Sequence, residues 1–197
     1  MRRVASLALP ALVVLAAEPL YVLVDTAVVG HLGRTPLAAL AVGGVVLTTA
    51  TWFGNVLAYG TTGRAARRYG AGERTAAVAE GVQATWLALA VGVIILLAAQ
   101  AGAGPLARTL AGGGHPEVAR AAEMWLRIAA LGVPGLLLAT AGNGWMRGVQ
   151  ELRRPMRYVL GASAFSAVLC PLLVYPAGLG LAGSALANVC AQTLSGV

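Results

Sequence analysis

A carboxylate inside an apolar run is costly, and Asp25 occupies such a run: between Val4 and Val29 the only strongly polar residues are Glu18 and Asp25. An ionised carboxylate at the centre of a membrane helix costs roughly 2.5–3.5 kcal/mol on insertion scales, so residues of this kind usually face a polar cavity. Withdrawn from water, a carboxyl group favours its neutral form and can bind and release a proton during a transport cycle. Ionised, it could instead ligate sodium with neighbouring hydroxyls and carbonyls. The plainer alternative is a structural role near an outer interface, bonded to Thr26 or capping a local break. Glu18 lies about two helical turns earlier and shares a face with Asp25 if the helix is regular. Pro10 and Pro19 each remove an i to i−4 hydrogen bond and mark candidate bending points, or else static kinks. Asn188 and Gln192 are four residues apart and would share a helical face. With Asn55, Gln83, Gln100 and Asn143 they are candidates either to line a cavity or to hydrogen-bond between helices.

Other chemistries lack their residues. The chain has no lysine, so no phosphate-binding Gly-rich loop ending in Lys-Ser/Thr exists and ATP drive is not expected. Neither HExxH nor Gly-x-Ser-x-Gly occurs, which argues against a membrane protease or hydrolase. Cys170 and Cys190 fall inside apolar segments without metal-ligand spacing and read as packing residues. The expectation is a protein that is not an enzyme, with no metal and no cofactor.

The elements that position these residues follow from composition. Of 197 residues 58% are hydrophobic and 11% charged, with a mean hydropathy of +0.78. The apolar residues come in blocks long enough to cross a hydrocarbon core, which takes about 20 helical residues. The ~10-residue alternation of a transmembrane β-barrel is absent. The fold class is therefore all-α integral membrane, with about six transmembrane helices at residues 4–29, 37–59, 76–99, 118–145, 158–175 and 181–197. The first run is too long for a cleaved signal and reads as a retained helix.

The formal charge of +7 resides on arginines in the connections, not in an aromatic-interleaved patch, so no nucleic acid partner is expected. Arg64, Arg67, Arg68 and Arg74 fall between the second and third segments, and Arg147, Arg153, Arg154 and Arg157 between the fourth and fifth. With Arg2 and Arg3 they put the N-terminus in the cytoplasm by the positive-inside rule. Residues 61–75 and 100–117 read as connections, the latter, around Gly112, Gly113 and Gly114, either an ordinary solvated connection or a hinge or lid-like loop, in which His115 has no role beyond exposure. Glycines 142, 144 and 148, and 178, 180 and 183, suggest close helix contacts. The sequence stops within an apolar stretch, so a truncated sixth helix and an absent C-terminal lobe are expected.

Three motifs carry a family resemblance. Glu18-Pro-Leu-Tyr-Val-Leu-Val-Asp25-Thr-Ala-Val-Val-Gly30-His-Leu-Gly33 resembles the first-helix motif of MATE (multidrug and toxic compound extrusion) transporters, in particular the DNA-damage-inducible F branch. Gly144-Trp-Met-Arg147-Gly148-Val-Gln150, with Pro155, is similar to the family's Arg-Gly turn. Gly178-Leu-Gly180-Leu-Ala-Gly183-Ser-Ala185-Leu-Ala187 is similar to its Gly-x-x-Gly-x-Ala run into the sixth helix. The resemblance implies one lobe of a twelve-helix, V-shaped transporter in a bacterial plasma membrane. It implies export of amphipathic or cationic drugs or toxic metabolites in exchange for protons or sodium. Its partners would be the lipid bilayer, a small-molecule substrate and the C-terminal lobe of the same protein. Asp25 would be the coupling carboxylate. Where the family commonly places Asn and an acidic residue before a fifth-helix proline, this chain has Ser166 and Cys170 before Pro171. That departure favours proton coupling through Asp25, with Glu18 and Tyr21 in support. A lipid-linked precursor flippase of the same superfamily, a channel-like pore and a non-transporting membrane subunit are the alternatives.

Overall fold

A long apolar block will be helical in lipid, because only a helix satisfies every backbone group within one segment. The computed structural model describes residues 19–151 and 153–196. Its helices are α1 (Pro19–Gly30), α2 (Arg34–Gly70), α3 (Arg74–Ala111), α4 (Pro116–Ala130), α5 (Val133–Gly148), α6 (Arg153–Val174) and α7 (Gly180–Gly196). Residues 4–18 of the expected first helix, including Pro10 and Glu18, lie outside the described residues. Helices α2, α3 and α6 are each long and apolar enough to cross a membrane, and α4 with α5 passes the same test as a pair.

Two helices run well past the expected boundaries. The 37 residues of α2 and 38 of α3 give lengths of about 55 Å, against a hydrocarbon core of about 30 Å. Once the first turns are hydrogen-bonded, nothing in the headgroup layer forces a helix to stop. Residues 61–70 and 74–75 are therefore helical, and Arg64, Arg67 and Arg68 lie on a helix, not in a loop. A short turn separates α2 from α3, closed by Glu73 N–H to Arg68 O and Gly72 N–H to Tyr69 O, with Gly72 at φ 80°. Residues 100–111 also remain helical, which reduces the expected lid-like loop to 112–115, with Pro116 opening α4. The continuous fourth segment is corrected too. It breaks at Leu131 and Gly132 and bends by 50° between α4 and α5, where Pro134 supplies no amide hydrogen.

Packing rests on small residues. The buried face of α2 is Ala39, Gly43, Ala50, Gly54, Ala58, Thr61 and Ala65. Against it α5 presents Thr140, Gly144 and Gly148 at intervals of four. A Cβ at Gly144 would lie 2.6 Å from the Ala58 carbonyl oxygen, and one at Gly148 would lie 2.8 Å from Thr62 O. Thr62 Oγ1 donates to Gly144 O across the same seam at 2.8 Å. Gly142, by contrast, faces open space, and Gly178 and Gly180 serve the α6–α7 turn with φ 66° and 53°. Gly183 does make a close contact, against the backbone of Leu173 and Val174. Many larger apolar side chains point outward, as lipid permits: Trp52, Val56, Trp86, Ile94 and Val168 are all exposed, whereas Trp125, Leu126 and Leu137 fill the interior.

Replacement of Gly144 by Val is expected to destabilise the protein by about 3 kcal/mol or more, since the obstacle is backbone and cannot rotate away. Gly142→Ala, in open space, is expected to leave stability unchanged. Thermal unfolding of both variants in detergent checks the pair, and equal melting temperatures would refute the seam.

Candidate functional site

Asp25 is one turn after Tyr21 on α1, and both side chains turn inward. Asp25 is only 6% exposed. Its Oδ1 accepts hydrogen bonds from Ser184 Oγ of α7 at 2.7 Å and from Cys170 Sγ of α6 at 3.1 Å. Trp125 of α4 donates its indole N–H to Ser184 Oγ at 3.4 Å, a long contact that extends the chain to a fourth helix. Hydrogen bonds to a charged group contribute about 1.5–3 kcal/mol each. The Ser184 bond, with a smaller share from the weak thiol donor, therefore offsets part of the cost of placing a carboxylate at membrane depth.

A second chain of polar contacts runs along the same cavity. Asn188 Nδ2 donates to Tyr21 Oη at 3.2 Å, and Gln192 Nε2 donates to Asn188 Oδ1. Gln192 Oε1 is buried with no hydrogen-bond partner among the described residues and packs against Gly132 at the α4–α5 break. Tyr175 Oη, from the end of α6, donates to Val28 O of α1 at 2.9 Å and ties down the C-terminal part of that helix.

Several of these side chains line one cavity of about 570 Å³, with walls from α1, α2, α4, α5, α6 and α7. Tyr21, Asp25, Asn143, Asn188 and Gln192 all line it, as do Asn55, Thr140, Ser163 and Ser166. Asp25 is its one carboxylate among the described residues. Glu18 and Pro10 fall outside those residues, and Pro19 is the first residue of α1 as described. Gln83 and Gln100 lie elsewhere: Gln83 accepts from Arg64 Nη2, and Gln100 donates to Arg127 O. Sequence reasoning missed Ser184, which it read as part of a small-residue run. The signal was present, because Ser184, Asn188 and Gln192 recur every four residues. Cys170 was read as packing. It is fully buried, as packing requires, but its thiol also reaches the carboxylate. No group of three or more His, Cys, Asp or Glu side chains that could hold a metal ion exists among the described residues.

With this geometry in hand, the likeness to known proteins is specific. The family model MatE matches residues 10–172. Protein DETOXIFICATION 44, chloroplastic, of Arabidopsis thaliana is 33% identical over 199 residues, covering 96% of this chain and 38% of that protein. DNA damage-inducible protein F of Escherichia coli (strain K12) is 34% identical over 187 residues, covering 94% and 40%. Among solved structures, the outward-facing conformation of a multidrug resistance MATE family transporter of the MOP superfamily superposes with a TM-score of 0.88. It shares 27% identity and covers 95% of this chain and 41% of that one. A MOP superfamily transporter from Pyrococcus furiosus Vc1 (DSM3638) gives a TM-score of 0.87 at 27% identity, with 95% and 41% covered. The chain thus spans about two fifths of the length of these relatives. Motifs, fold, cavity and relatives converge on one assignment: this chain belongs to the MatE family and forms one all-helical, multi-pass membrane lobe of a MATE-type transporter.

Proposed function

We propose that this lobe belongs to a secondary antiporter that exports amphipathic or cationic compounds in exchange for protons, with Asp25 as the coupling carboxylate. The observation that carries the reading is a single buried carboxylate on the wall of a 570 Å³ cavity, held by side chains from two other helices. Ionised, Asp25 accepts from Ser184 and Cys170 and places a negative charge beside the cavity. Protonated, it loses that charge and becomes a donor itself, so both contacts weaken or rearrange and a cationic guest loses its counter-charge. Binding of the proton and of the exported cation thereby become mutually exclusive, which is what antiport requires. Sodium is the alternative ion. It is supported less well because Asp25 is the cavity's one carboxylate among the described residues and two of its contacts arrive as hydrogen donors, which suits a proton better than a metal cation.

In proteoliposomes containing the full-length protein, an imposed pH gradient is expected to drive movement of a fluorescent organic cation, and Asp25→Asn is expected to abolish it. Transport driven by a sodium gradient alone would transfer the role to sodium, and undiminished activity in the variant would remove Asp25 from coupling.

The arginine-rich end of the lobe is proposed to face the cytoplasm of a bacterial cell, with the N-terminus on the same side. In a background in which exposed Cys190 is replaced by Ser, a membrane-impermeant maleimide applied to intact cells is expected to label Gly113→Cys and spare Ala71→Cys. The opposite pattern would invert the topology.

A further inference from the structure

Outside the central cavity, the most strongly charged feature lies where α2 turns into α3. Arg64, Arg67, Arg68, Ala71, Glu73 and Glu80 line a separate cavity of about 450 Å³. Two of its guanidiniums are already engaged. Arg64 Nε lies 2.7 Å from Glu80 Oε2, and Arg68 Nη1 lies 2.8 Å from Glu73 Oε2, with Arg68 Nε 3.9 Å from Glu80 Oε1. Arg67 has no carboxylate within ion-pair distance among the described residues. The lining therefore carries three positive charges against two negative ones. Arg74, stacked over the Tyr69 ring at 5.2 Å from its centroid, adds another cation to the same turn.

Depth in the membrane gives this pocket its meaning. Tyr59 and Trp86 are 73% and 68% exposed, and such aromatic rings gather where hydrocarbon meets headgroups. Arg64 is five residues beyond Tyr59 along α2, about 8 Å, and Glu80 is six residues outward from Trp86 along α3, about 9 Å. The headgroup layer is about 5–8 Å thick on each side, so a guanidinium on its long stem reaches the phosphates.

We propose that this pocket binds the phosphate headgroup of an anionic phospholipid, with Arg67 as its free cation and Arg64 and Arg68 drawn toward the phosphate in competition with Glu80. Planar guanidiniums suit such a ligand because they meet phosphate oxygens in pairs. The depth of the pocket, one headgroup layer beyond the exposed Tyr59 and Trp86, favours a lipid phosphate over a free anion. The site is independent of what the central cavity carries.

Native mass spectrometry of the full-length protein in detergent, with phosphatidylglycerol or phosphatidylcholine added, tests it. Wild type is expected to retain phosphatidylglycerol preferentially, and Arg67→Gln to weaken that retention about fivefold, the effect of one arginine near an anionic membrane surface. Arg67→Gln breaks no ion pair, so its loss of lipid is not a folding defect. Glu80→Gln removes the competing carboxylate and is expected to strengthen retention. Arg157→Gln, an exposed arginine beyond the α5–α6 turn, is the control expected to change nothing. Equal retention of the two lipids, or equal losses with Arg67→Gln and Arg157→Gln, would overturn the site in favour of diffuse attraction. Displacement of the lipid by millimolar inorganic phosphate would overturn the lipid assignment and leave a free-anion site.

Discussion

A carboxylate that has left water must find donors, and α1 offers Asp25 none of its own. Its partners are Ser184 on α7 and Cys170 on α6, with Trp125 on α4 behind Ser184. Each of these contacts is also a helix–helix contact. The charge on one atom therefore bears on the placement of four helices, and stabilisation of the charge cannot be separated from stabilisation of the lobe. Below that level the apolar contacts are modest: Cys170, Val174 and Ala187 form a small cluster on which Val28 and Leu32 of α1 pack.

The cavity exists because the lobe packs as two groups. Helices α2, α3 and α5 join through small residues, and α6 packs mainly on α7, with little direct contact between α5 and α6. Close approach within the first group requires the missing side chains of Gly144 and Gly148. The second group has its own such contact at Gly183. Where α7 meets α5 the backbones also approach closely, at Gly135 against Gln192 and Thr193 and at Gly196 against Gly135, while Asn188 reaches Tyr21 and Gln192 reaches Asn188 on the cavity side. Tight seams on both sides leave the volume in the middle.

Much of this was legible in the sequence, for physical reasons that differ by feature. Fold class followed from hydropathy because a bilayer leaves a spanning chain almost no alternative to the helix. Asp25 stood out because a charge in an apolar run demands a cause. Asn188 and Gln192 were legible by their interval of four. Helix ends were not, because hydropathy reports the hydrocarbon boundary while the hydrogen-bonded helix continues beyond it, as α2 does to Gly70. The bend at Leu131 was hidden because Gly132 and Pro134 sit in an otherwise continuous apolar run. Ser184 and Cys170 escaped notice because small residues in membrane helices default to packing, and only a structure shows which of them meets a carboxylate.

The rest of the cavity wall differs in kind from Asp25. Thr48, Thr51 and Thr140 spend their hydroxyl hydrogens on carbonyls of their own helices, at 2.9, 3.1 and 2.7 Å. They present methyl groups and acceptor lone pairs to the cavity, not fixed donors. The amides of Asn55 and Asn143 have no side-chain hydrogen bond among the described residues and can turn to suit a guest. Such a wall places few directional demands on a ligand, and rejection of a near-miss compound requires a buried polar group that the compound leaves unpaired. Fixed polar demand in this wall is accordingly confined to a few groups, chiefly the Asp25 carboxylate and the buried, unpartnered Gln192 Oε1. Among the described residues of this wall Asp25 is the one carboxylate, so its protonation changes the charge of the cavity in a way that no turning of a neutral amide can.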